Sequence, residues 1–227
     1  MPPAEYRWLN GGMAAAAAGR VKEPWSKSAI VVAGPAVLIV MYPIFRLTSR
    51  AGDRVEGYLG WAAGLAIYWV IWGMVFPRVM LGWSDLRQLV RPTKAGVRLL
   101  LLVALPLVIT VAGRVFDPET AYETHTVAAQ LIVIATAVGN GFFEEVFWRG
   151  IPLRVFPDSR FLGVVWPSIW FGLWHLAPAS ASADGGALPL VVGAMFLGLY
   201  LGFLARTSGS IWWPVFVHTC AGLILVL

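Results

Sequence analysis

Residues 126–150 read TVAAQLIVIATAVGNGFFEEVFWRG, and this stretch decides the fold. From Thr126 to Phe143 there is no charge; then come Glu144, Glu145 and, four places on, Arg149. As a helix rising 1.5 Å per residue, such a run covers most of the ~30 Å of hydrocarbon in a bilayer. Its apolar residues are continuous rather than alternating, and in lipid only helices and closed barrels satisfy their backbone groups, so the run reads as a membrane-crossing helix. A charged carboxylate inside such a helix costs at least ~2.5–3.5 kcal/mol on insertion scales, so two adjacent ones require a reason. Glu145 and Arg149 share a helix face and can pair, whereas Glu144 points about 100° away, out of reach of that guanidinium. The bland alternative is that the cluster sits at the membrane surface and snorkels into water.

The rest of the chain has the same character. Of 227 residues, 59% are hydrophobic and 13% charged, against ~45–50% and ~25% in ordinary soluble domains. That excludes a soluble enzyme, a disordered regulator and a nucleic-acid reader, and leaves a polytopic membrane protein. Uncharged apolar stretches fall at about 28–45, 57–76, 95–113, 126–148, 161–177, 188–205 and 210–227. The expected architecture is therefore all-α: a transmembrane bundle of about seven spans with its active site inside. Residues 1–27 form a basic tail that does not read as a cleavable signal peptide, and 28–227 form the membrane domain. Of the 17 Lys and Arg, thirteen lie in the tail (Arg7, Arg20, Lys22, Lys27) and the even-numbered loops (Arg78, Arg87, Arg91, Lys94, Arg98, Arg149, Arg154, Arg160, Arg206). Only Arg46, Arg50, Arg54 and Arg114 fall on the other side, so the positive-inside bias puts the N-terminus in the cytoplasm. The net charge of +5 then serves lipid headgroups and not a nucleic acid. Twelve Trp residues, many near run ends (Trp25, Trp61, Trp83, Trp166, Trp212, Trp213), suit interfacial anchoring or packing. Cys220 is the single cysteine, so no disulfide forms within the chain.

Two further features break the apolar pattern: His175 in Phe171-Gly172-Leu173-Trp174-His175, and His218 in Trp213-Pro214-Val215-Phe216-Val217-His218. The third histidine, His125, sits beside Glu123 in a loop and reads as a solvated surface residue. Placing the turn at Pro157-Asp158-Ser159-Arg160 puts Glu144 thirteen residues before it and His175 fifteen after it. Each is then roughly 20 Å from the turn, at similar depth in an antiparallel hairpin. This requires the Glu144 helix to run on towards Val155 despite Pro152. Two carboxylates, a guanidinium and two imidazoles inside a bundle face the interior or a wet cavity. Such a set suits water activation, with a carboxylate as general base and an imidazole sharing the water or donating to an oxyanion. The same side chains Glu144, His175 and His218 can instead hold zinc. Spacing alone leaves both open.

Glu-Glu-x-x-x-Arg, then Phe-x-x-x-His, then a late His in a helix resembles the motif order of the CPBP intramembrane endopeptidases, also called Abi or CAAX-protease-like. Here the matching residues are Glu144, Glu145 and Arg149; Phe171 and His175; and His218, so the resemblance covers a catalytic region at about 126–227. It implies an all-helical membrane fold, Glu144 and His175 as the pair activating water, His218 as an oxyanion donor, and Glu145 and Arg149 as residues that shape the site. It implies no metal in the glutamate-based reading, with zinc in the older one. The substrate would be a membrane-associated or lipidated protein or peptide, and the setting a bacterial or archaeal cell membrane. One departure stands out: the family has Asn or Asp four residues after the last His, and here that place is Gly222. Loss of one oxyanion donor costs ~2.7–4 kcal/mol in comparable hydrolases. Asn140, one turn before Glu144, is the candidate substitute, with Thr219 second. Two other readings compete: a non-catalytic scaffold of the bacteriocin-immunity type, favoured by Gly222, and a proton-coupled carrier, disfavoured by the absence of inverted repeats.

Overall fold

A computed structural model describes residues 24–50, 57–116, 124–181 and 186–226. Among these the chain is helical with no strand, in seven successive helical units. They are α1 (Pro24–Arg50), α2 (Tyr58–Leu89), α3 (Val97–Phe116), α4 (Val127–Val155), α5 (161–179), α6 (Ala187–Ser208) and α7 (Trp212–Val226). Five are long and apolar enough to cross a membrane: α1, α2, α3, α4 and α6, with α1 counted from Lys27. α7 is apolar but has only 15 residues, about 22 Å of helix. The protein is thus a multi-pass membrane protein. The expected tail, 1–27, falls outside the described residues as far as residue 23. From Pro24 onward it is already helix, while the part apolar enough to cross a membrane begins at Lys27; Pro is at home in a first helical turn, where its missing N–H has no partner to lose.

α2 outruns its expected end near residue 76 and continues to Leu89, with a break at Gly82, whose φ of 81° and ψ of 170° are not helical. Pro77 does not stop it, and the reason recurs twice more. Three stretches widen into π-helical turns, Trp69–Val75, Val146–Gly150 and Phe161–Val165, and after each the next N–H reaches back five residues: Phe76 to Ile71, Ile151 to Val146, Trp166 to Phe161. A proline stands two places beyond each of them: Pro77, Pro152, Pro167. Proline has no N–H, and its ring crowds the carbonyl four residues back; a wider turn relieves the crowding without ending the helix. This is how α4 carries Glu144 past Arg149 to Val155. The chain then turns at Pro157 and Asp158, as expected, and re-enters helix at Arg160.

α7 lies along α4, α6 along α5, and α1 against α2 and α5, while α3 joins the bundle mainly through α7. The α4–α7 contact is a close one. A Cβ on Gly141 would overlap Thr219, whose backbone N it would meet at 2.8 Å, and one on Gly222 would meet the Ala137 Cβ at 3.0 Å. Small residues let membrane helices approach this closely. Side chains of α1, α2, α4 and α5 build an aromatic core with Phe45, Tyr68, Trp72, Phe147, Trp148, Phe171 and Trp174 all buried. The site described next lies between that core and α7.

Candidate active site

Glu144, Glu145 and Arg149 are 2%, 0% and 2% exposed, so the cluster does not snorkel. Its charges are met inside the protein. Arg149 Nη1 donates to Glu145 Oε1 at 2.9 Å, the i,i+4 pair expected from spacing. The same oxygen accepts His218 Nδ1–H at 2.8 Å, across the α4–α7 seam. The guanidinium also stacks on Phe171, with Cζ 4.1 Å from the ring centroid. Glu145 Oε2 and Arg149 Nη2 are buried with no partner. An ion pair taken out of water repays its desolvation only when further hydrogen bonds complete it, and His218 supplies one here.

Glu144 sits differently. Its Oε1 accepts the indole N–H of Trp174 at 3.0 Å, and its Oε2 faces His218 Nε2 at 3.7 Å. That gap is too long for a hydrogen bond. The tautomer of His218 follows from its partners: a carboxylate accepts, so Nδ1 carries the proton towards Glu145, and Nε2 is the atom turned to Glu144. His175 is fixed by the same logic. Its Nδ1 lies 2.6 Å from the Phe171 carbonyl, which can only accept, so in the neutral ring Nε2 bears the free lone pair. Its ring meets Phe171 edge-on at 4.9 Å, and the other side of the Phe171 neighbourhood is His218, at 6.1 Å. Among the described residues no hydrogen bond joins His175 to either carboxylate. His175 stands at a tightened turn within α5, where its N–H turns back three residues to Gly172.

The structure therefore brings Glu144, Glu145, Arg149 and His218 into direct contact, with His175 one aromatic ring away. Asn140 lies one turn from Glu144, and its Oδ1 accepts Trp69 Nε1–H at 2.9 Å; its NH2 group is the part that could donate. Thr219 is packed against Gly141. At Gly222 a Cβ would meet the Ala137 Cβ at 3.0 Å, so a side chain there requires Ala137 to give by a few tenths of an ångström. His125 is exposed, as its loop position implies. Among the described residues no group of three or more His, Cys, Asp or Glu is disposed to hold a metal ion. Sequence reasoning quotes Trp174 beside His175 and gives it no role in the site. Its signal was its place beside His175.

Residues 126–224 match the family model described as type II CAAX prenyl endopeptidase Rce1-like. The matched stretch holds both glutamates, both site histidines and every helix from α4 to α7, and it agrees with the CPBP/CAAX protease family. That family is one of membrane-embedded proteases, so the match points to peptidase activity. No curated protein and no solved structure matches the chain.

Proposed function

We propose that the chain is an intramembrane endopeptidase that hydrolyses a peptide bond of a membrane-associated or lipidated protein or peptide. The observation that carries this is the facing of Glu144 Oε2 and His218 Nε2 at 3.7 Å, inside the bundle and over a neutralised Glu145–Arg149 pair. In this reading Glu144 is the general base. A water O–H bond breaks, the proton passes to Glu144, and the water oxygen bonds the scissile carbonyl carbon. His175, through the free Nε2, shares and orients that water. His218 takes a second proton from solvent before the attack, keeps Nδ1–H on Glu145 and offers Nε2–H to the developing oxyanion. The proton on Glu144 then leaves with the amine as the C–N bond breaks. Glu145 and Arg149 hold His218 and do not touch the reacting atoms. No step needs a metal. The positive-inside bias orients the protein with the basic 1–27 tail in the cytoplasm, and the catalytic region is taken as 126–227.

The test is cleavage of a fluorogenic prenylated peptide by the full chain in proteoliposomes. Wild type is expected to cleave it, Glu144→Gln to be at least ~10³-fold slower while still inserting, and a chelator to leave the rate unchanged. Full turnover by Glu144→Gln would end the reading. One observation favours a second reading: a side chain at Gly222 would crowd Ala137, as in a scaffold that has given up a donor. A non-catalytic scaffold predicts that the cellular phenotype of deletion is rescued equally by wild type and Glu144→Gln.

A further inference from the structure

Glu144 has two oxygens, and they are not equivalent. Oε1 accepts the Trp174 indole N–H at 3.0 Å, while Oε2 faces His218 Nε2. An indole nitrogen donates and never accepts. Whatever the state of the carboxyl group, Oε1 must therefore be the acceptor, and a proton arriving on Glu144 belongs on Oε2. Trp174 is itself held. It is 1% exposed and stacks on Tyr68 with ring centroids 4.1 Å apart and planes 17° from parallel. Tyr68 is fully buried, and its hydroxyl oxygen accepts Trp148 Nε1–H at 2.9 Å. Trp148 is in turn part of the π-helical turn that follows the two glutamates. The contacts thus run from Glu144 to Trp174, to Tyr68, to Trp148 and back into α4. Tyr68 comes from α2, outside the residues matched by the family model.

We propose that Trp174 is a positioning residue that selects which oxygen of Glu144 takes the proton of the attacking water, and that Tyr68 sets the plane of Trp174 from the unmatched half of the chain. The proposal rests on the endopeptidase reading above. In the step it governs, the O–H bond of water breaks, an O–H bond forms at Oε2, and the water oxygen bonds the carbonyl carbon; Oε1 keeps its hydrogen bond to the indole throughout. Neither aromatic residue touches substrate, so both act on kcat and not on substrate binding.

The same proteoliposome assay tests this, with kcat and KM measured separately and thermal unfolding followed in parallel. Trp174→Phe keeps a ring over Tyr68 and removes the donor. It is expected to lower kcat ~10–100-fold, the scale of one hydrogen bond to a charged group, with KM within about twofold of wild type. Tyr68→Phe keeps the stack and removes the oxygen that Trp148 bonds; its expected loss in kcat is smaller, ~3–10-fold, again without a change in KM. Wild-type kcat in Trp174→Phe, or a rise in KM with kcat kept, overturns the proposal. If Trp174→Phe does not fold, Tyr68→Phe decides, and an unchanged kcat there overturns it. Wild type and Glu144→Gln run alongside keep the two levels apart: cleavage by wild type alone upholds the endopeptidase reading whichever way the aromatic variants fall.

Discussion

α3 and α4 look alike as apolar runs and behave in opposite ways. Over an apolar stretch of eighteen consecutive residues, 11% of α3 is buried, against 28% of α4. α3 has Pro106 inside it and continues as a helix, whereas α4 widens into a π turn ahead of Pro152. α3 turns Leu101, Val108, Ile109 and Val115 outward; α4 turns Glu144, Glu145 and Arg149 inward and needs α5 and α7 to meet them. Hydrophobicity alone decides that both helices enter the bilayer. Which of them lies inside the bundle is decided by the polar groups that must find partners there.

The contrast can be broken experimentally, most severely at Arg149. Arg149→Met leaves Glu145 buried with His218 as its only remaining partner, and removal of one member of a buried pair costs ~3–5 kcal/mol. Thermal unfolding in detergent should show the loss, together with loss of turnover; a variant as stable as wild type would mean that the pair is not closed off from water. Next in size is Gly222→Asn. It restores the donor type seen at that place in the family but drives a side chain into Ala137, so a loss of ~1–3 kcal/mol in stability is expected with no gain in rate. Adding Ala137→Gly should recover the stability, and a rate increase in the double variant would show that the seam itself had displaced the donor. Pro152→Ala removes the crowding that the π turn relieves. If α4 then returns to α-helical winding, Arg149 shifts against Glu145, and kcat should fall about tenfold with a smaller change in unfolding temperature. The smallest effect belongs to α3: Val108→Ala, 63% exposed, should change stability by less than about 0.5 kcal/mol. A large effect there would reveal a protein partner covering α3.

Much of the fold was legible because the bilayer demands long uncharged runs, and the seven helices lie where those runs do. The Glu145–Arg149 pair was legible because a four-residue spacing leaves few alternatives. The depth match of α4 and α5 was also legible, and the Trp174–Glu144 hydrogen bond is its consequence. Other features had no such signal. An aromatic residue in an apolar run carries the same letter whether it anchors at an interface or stacks behind a carboxylate, so Tyr68 and Trp174 were invisible as a pair. Gly222 read as a missing side chain, because spacing along one helix says nothing about Ala137 on another. The π turns were written in the positions of Pro77, Pro152 and Pro167, but a proline in an apolar run equally announces a kink or an end.

The hydrogen bond between His218 and Glu145 joins residues 73 apart in the chain. A ribosome hands over the helix with both glutamates long before it makes the one with the histidine that completes them. During that interval Glu145 has its own helix's Arg149 as companion, while Glu144 awaits Trp174 and then His218. Until α7 packs on α4, Glu145 therefore lacks its second partner and Glu144 lacks the imidazole it faces.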